Sequence, residues 1–232
     1  MGDLFSSFNP NTALISVNLP LNWLSSISVI IFFPQIYWIT KRKIIKFLRI
    51  IINSLIKELE VALGKIITPG AILFFLRVFF FILFSNLIGL LPYVFTSSSH
   101  LSFTLSLSLP IWLGYIIMRL IKQFNINMAH LVPEGTPAPL IPLMVIIESV
   151  SLIIRPFTLA VRLGANIIAG HLLLTLLGRQ GSQLGRFRLA FLIIAIFALI
   201  TLEGAVACIQ AYVFTILSTL YLNEHNSIIL SK

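Results

Sequence analysis

The sequence predicts an all-α integral membrane protein, and three observations predict it. Of its 232 residues, 58% are hydrophobic and only 10% are charged, against about a quarter charged in soluble domains. Mean hydropathy is +1.04. The apolar residues also come in continuous runs rather than alternating with polar ones. A bilayer core holds no water, so backbone groups must pair inside helices or a closed barrel. Continuous runs select helices over barrel strands.

The elements follow in order as one membrane domain, residues 1–232. The first apolar run, about 21–40, is long enough for one span; Pro34 is placed to kink it. The segment 41–67 differs. Arg42, Lys46, Arg49, Asn53, Lys57, Glu60 and Gly64 recur at steps of three and four, which makes one polar stripe. Leu48, Ile51, Ile52, Leu55, Leu59 and Leu63 lie elsewhere around the helix. This pattern predicts an amphipathic helix lying in the membrane interface, ended by Pro69-Gly70. Residues 71–91 and 101–118 read as a transmembrane hairpin around the turn "PYVFTSSSH", and "FNINMAHLVPEGTPAP" as a Pro-rich connector.

Two much longer apolar stretches come last, 140–177 and 189–222, flanking the polar turn "GRQGSQLGR". A perpendicular span needs about 20 residues, so each of these must tilt strongly or break. Pro142 and Pro156 are candidate bends in the first, but neither stretch contains a loop-like interruption. A long, strongly tilted helical hairpin is the expected solution.

Net charge is +9. Many of the basic residues sit between apolar runs, which suits membrane orientation and gives no soluble face for nucleic acid. The positive-inside rule places 41–65 and the 119–138 connector inside, and the 92–100 turn outside. It also leaves Arg179, Arg186 and Arg188 outside, against the rule. Cys208 stands alone, so no disulfide forms within the chain, and it reads as a small packing residue. No P-loop, G-x-S-x-G or HExxH motif occurs. The sequence supports no catalytic site, metal site or cofactor.

"LAVRLGANIIAGHLLL" (159–174) places a permanent cation inside an apolar helix. Arg162 keeps its proton at any physiological pH, and burying it in lipid costs about 3–15 kcal/mol. Intramembrane charges of this kind face a bundle interior or an aqueous cavity and mark ion paths; the plainer reading is an ion pair with a carboxylate of the same chain. Glu148, Arg155, Arg162 and Asn166 fall near one stripe of the helix, with His171 on a different side. Ala160, Gly164, Ala165, Ala169 and Gly170 keep the helix narrow, as close helix packing requires. Folding the hairpin at 178–188 sets Glu203 within reach of His171 and Gln210 near Arg162. These groups suit proton relay; structural hydrogen bonding between helices is the alternative. His100 and His130 read as solvated loop residues, and Glu134 as a surface charge.

"HLVPEGTPAPLIPLMVIIESVSL", "RPFTLAVRLGANIIAGHLL", "LEGAVACIQAYVFTILSTLYL" and "NLIGLLPYVFT" resemble subunit a of F-type ATP synthase in its mitochondrially encoded form. The resemblance covers essentially the whole chain, with R-L-x-A-N-x-x-A-G-H its strongest motif. It implies a multi-pass subunit of the mitochondrial inner membrane that borders a rotating ring of c subunits and other Fo and peripheral-stalk subunits. It implies two offset half-channels and coupling of proton flow to ATP synthesis on partner subunits. Arg162 matches the family's essential arginine. His171, Glu203 and Asn86 match the outer half-channel, Glu148 and Glu224 the inner one, and Gln210 a glutamine facing the arginine. Two other readings remain: a self-contained ion channel or secondary transporter, which the absence of an internal repeat disfavours, and a structural subunit of another respiratory complex.

Overall fold

The computed structural model describes residues 8–10, 12–14, 17–19, 21–26, 43–64, 69–91, 94–129, 132, 137–181 and 185–230. Among the described residues there are five long helices: α1 (Lys43–Leu63), α2 (Pro69–Gly89), α3 (Leu101–Ala129), α4 (Ile141–Gln180) and α5 (Arg186–Leu230). A small antiparallel pair, β1 (Thr12–Leu14) and β2 (Val17–Leu19), precedes them with Thr12 opposite Leu19. Of the first expected span, residues 21–26 are helical and the rest lies outside the described residues. Among the described residues, four helices are long and apolar enough to cross a membrane, α2 to α5. The chain is therefore an all-α, multi-pass membrane protein apart from the short strand pair.

The helices depart from expectation mainly at their ends. α1 stops at Leu63, before Pro69-Gly70, because Gly64 turns the chain with φ +59°, a left-handed conformation that only Gly adopts freely. Gly64 therefore caps the helix instead of extending its polar stripe. Lys46, Arg49, Asn53 and Lys57 are exposed as expected, while Leu59, Ala62 and Leu63 are buried. α3 runs on to Ala129 and takes in residues 119–129, which the sequence assigned partly to the connector. Nothing in "RLIKQFNINMA" breaks a helix, and polarity alone does not end one.

α4 and α5 are continuous over 40 and 45 residues, about 60 and 68 Å at 1.5 Å per residue. Neither is broken by a loop. Pro142 sits in the first turn of α4, where a missing N–H costs nothing, so it starts the helix and does not bend it. Pro156 lies in the interior, where it deprives the Leu152 carbonyl of its helical donor. The Trp112 indole N–H of α3 donates to that carbonyl at 3.0 Å, replacing the lost bond from a neighbouring helix.

α5 is the centre of the bundle, packed by α1, α2, α3 and α4. One apolar cluster joins Ile82 of α2, Leu159 and Leu163 of α4, and Ala211 and Phe214 of α5. A second joins Leu59 and Leu63 of α1 to Ile72 and Phe75 of α2, with Ile216 and Leu222 of α5 against it. In lipid such contacts hold helices by shape and dispersion, since the tails are as apolar as the side chains. The turn between α2 and α3 is folded inward. Thr96, Ser97, Ser98 and Ser99 are all buried, and a Cβ added to Gly164 would lie 3.7 Å from the Ser99 carbonyl oxygen. Thr96 and Ser99 bond locally, Ser99 Oγ donating to the Thr96 carbonyl at 2.7 Å, while Ser98 Oγ has no partner among the described residues.

Candidate functional site

The α4–α5 hairpin is antiparallel, and three side-chain pairs fix its register. The Arg155 guanidinium lies 5.2 Å from the centre of the Tyr221 ring. Asn166 Nδ2 donates to Gln210 Oε1 at 3.0 Å. His171 Nε2 and Glu203 Oε1 are 3.9 Å apart. From the first pair to the second, the number rises by 11 on α4 and falls by 11 on α5; from the second to the third it rises by 5 and falls by 7, so the helices run antiparallel with a two-residue offset toward the turn.

Glu203 and His171 meet as the folded-back hairpin predicts. Glu203 is buried, with its side chain 6% exposed, and His171 retains 19%. Among the described residues, neither Glu203 oxygen nor His171 Nε2 has a hydrogen-bond partner. A buried carboxyl group without hydrogen bonds is expensive in a membrane and is kept for function more often than for stability. Gly170 makes the arrangement possible, since the Glu203 carboxyl occupies the space a Cβ on residue 170 would fill.

Arg162 is exposed, while Leu159, Ala160, Leu163 and Gly164 of the same stretch of α4 are buried. Among the described residues no carboxylate pairs with it, so the structure offers no support for a fixed ion pair within this chain. Around it the hairpin presents Phe157, Val161, Ala165 and Ala169 of α4, all exposed. α5 likewise exposes Ala198, Leu202, Ala205, Cys208 and Ile209. The result is an apolar, small-residue surface holding one permanent cation.

Gln210 is buried, and it meets Asn166, one turn along from Arg162. Its Nε2 is left without a partner among the described residues. Asn86 of α2 is 1% exposed, and both of its amide atoms lack partners in the same sense. Glu148 is half-buried near the start of α4. Glu224 lies within α5, not beyond its end, because α5 reaches Leu230; its side chain is outside the described set. By the hairpin register, Glu148 and the Glu224 backbone belong to the end of the hairpin away from its turn. His171 and Glu203 belong to the other end, with Arg162 between. Arg162 is about 20 Å from Glu148 and about 14 Å from His171 along the helix axis.

Three features escaped sequence reasoning. His100 is not a solvated loop residue: its ring is packed by Trp23 and Phe95. Phe8 meets His171 edge-on. The Tyr212 hydroxyl lies beside the Glu58 carboxylate, where α5 packs on α1. No periodicity within one helix signals any of these, since each joins segments far apart in the chain. The described residues contain no group of His, Cys, Asp and Glu arranged to hold a metal ion.

Known proteins resemble this chain over nearly all its length. The profile of the ATP synthase A chain family matches residues 19–223. ATP synthase subunit a of Drosophila yakuba is 49% identical over 226 residues, 97% of this chain and 100% of the relative. The Drosophila melanogaster protein matches to the same extent. That of Locusta migratoria is 46% identical over 224 residues, 97% of this chain and 99% of the relative. With a match of this extent, and a cation set on the outer face of a long apolar hairpin, the chain belongs to the ATP synthase A chain family.

Proposed function

We propose that this chain is the proton-translocating subunit of the Fo sector of an F-type ATP synthase in the mitochondrial inner membrane. In this reading the exposed α4–α5 face borders a rotating ring of c subunits, and α1 lies in the membrane interface. The long hairpin tilts, because about 60 Å of helix exceeds a hydrocarbon core of about 30 Å. The observation that supports the reading best is Arg162, a permanent charge on an apolar outer face with no described carboxylate of its own chain. An acid brought to it by another subunit would stabilise such a charge.

The chemistry follows from charge. An opposite charge nearby favours the ionised form of a carboxyl group. Arg162 therefore draws the proton from each ring carboxylate as it arrives, and it bars direct proton passage between the two ends of the hairpin. His171, Glu203 and Asn86 serve the outer half-channel, Glu148 and Glu224 the inner one, and Asn166 with Gln210 holds the helices in register at the arginine. A membrane potential supplies about 2.3 kcal/mol per charge per 100 mV, so several protons must pass for each ATP formed on partner subunits.

The test is a crosslink. With Cys208→Ser in the background and Ala165→Cys one turn from Arg162, oxidation should join residue 165 to a cysteine beside the acidic residue of the ring helix. Efficient crosslinking of position 165 to a static subunit, with none to the ring, would reject the proposal.

A further inference from the structure

We propose that Phe8, held in place by His100, is the stopper on the watery approach to the His171–Glu203 pair. This rests on the reading of that pair as the outer proton port. Three contacts line up to suggest it. His100 Nε2 is 3.0 Å from the Phe8 carbonyl oxygen. A carbonyl only accepts, so Nε2 carries the hydrogen and donates it. The Phe8 ring stands perpendicular to the His171 ring, with centroids 6.3 Å apart. His171 in turn faces Glu203. One short segment thus links a turn histidine to the port histidine.

The anchor is built with care. The His100 ring is packed by Trp23 at 5.3 Å and Phe95 at 5.2 Å between centroids, and those two rings pack on each other at 5.8 Å. Ser25 Oγ donates to the Phe95 carbonyl at 3.1 Å. Next to Phe8, the Asn9 carbonyl accepts from Asn22 Nδ2 at 3.2 Å. Residues 8 and 9 are therefore tied at two consecutive carbonyls, one to the turn before α3 and one to the segment 21–26.

The consequence concerns access. Glu203 is closed in, and His171 keeps only a small exposed area. An aromatic ring edge against His171 removes room for the hydrogen-bonded water that proton exchange needs. Phe8 must swing aside, or the segment must loosen, for water to reach the imidazole. Because the contacts of Phe8 and Asn9 are with the turn before α3, the segment 21–26 and the His171 ring, such opening is local and does not require the bundle to unfold.

The experiment measures access in the assembled complex. His171→Cys with Cys208→Ser supplies a single thiol at the port, labelled by a small charged methanethiosulfonate reagent added to the outer side. Adding Phe8→Ala should raise the labelling rate several-fold. Adding His100→Phe instead keeps the aromatic packing but removes the N–H donor, and it should also raise the rate. An unchanged rate with Phe8→Ala, or with His100→Phe where Phe8→Ala does not assemble, would overturn the proposal. Labelling needs no proton flow, so this outcome is independent of whether Arg162 acts as proposed.

Discussion

The Glu203 carboxyl group and the Cα hydrogens of Gly170 share one space: a Cβ on residue 170 would collide with that carboxyl. Glycine here is a condition for Glu203 to face His171 across the hairpin.

Gly170→Ala should therefore push Glu203 out of line and slow proton flow about tenfold or more, as small misplacements of reacting groups do. The complex should still assemble. Gly178→Ala is the control, since nothing lies within 4 Å of its added Cβ, and it should pump normally. ATP-driven acidification of vesicles reads both, and parental pumping by Gly170→Ala would remove the shared space from the mechanism.

The Trp112–Leu152 bond compensates for Pro156, which yields a paired expectation. Trp112→Phe leaves a part-buried carbonyl without a donor and should cost about 1 kcal/mol. Adding Pro156→Ala restores a backbone N–H that donates to Leu152, so the double variant should regain most of that stability. Thermal unfolding of the purified complex measures both; equal losses with and without Pro156→Ala would show that the indole bond does not replace the helical one.

Asn166 and Gln210 should be coupled. Interhelical hydrogen bonds in membranes average about 0.6 kcal/mol and reach about 1.7. A double-mutant cycle with Asn166→Leu and Gln210→Leu should return a coupling of that size. A coupling indistinguishable from zero would mean that apolar packing alone sets the register at Arg162.

At the end of α1, Gly64 has φ +59° and an added Cβ would lie 3.1 Å from the Asn223 amide. Gly64→Ala should destabilise by about 1–2 kcal/mol for the backbone conformation alone, plus the crowding. Asn223→Ala relieves only the crowding, so combining them should recover part of the loss, read as a shift in melting temperature. Full recovery would show that the left-handed backbone carries no cost here.

The parts of the site set by spacing within the hairpin were legible in the sequence. Folding back at the 178–188 turn sets the Arg162–His171 zone beside the part of α5 that holds Glu203 and Gln210, though Glu203 lies further along α5 than an equal count from the turn gives. Arg162 stood out because a guanidinium in an apolar helix is costly wherever it points. Helix ends were less legible: Gly64 looked like part of a stripe, and the stripe carries no sign that its backbone turns left-handed. α3 outran its apolar segment because polarity does not end a helix. The roles of Trp112, the buried Ser97–Ser99 turn and the Phe8–His100 anchor depend on partners far away in the chain, and local periodicity holds no information about them.

The central claim is that Arg162 gates protons carried by a neighbouring ring. Replacing its guanidinium by a neutral amide, Arg162→Gln, in the assembled enzyme isolates that charge. ATP-driven proton pumping measured in sealed vesicles should be abolished, while ATP hydrolysis by the partner subunits remains measurable. Coupled pumping that continues in the Arg162→Gln enzyme would contradict the account.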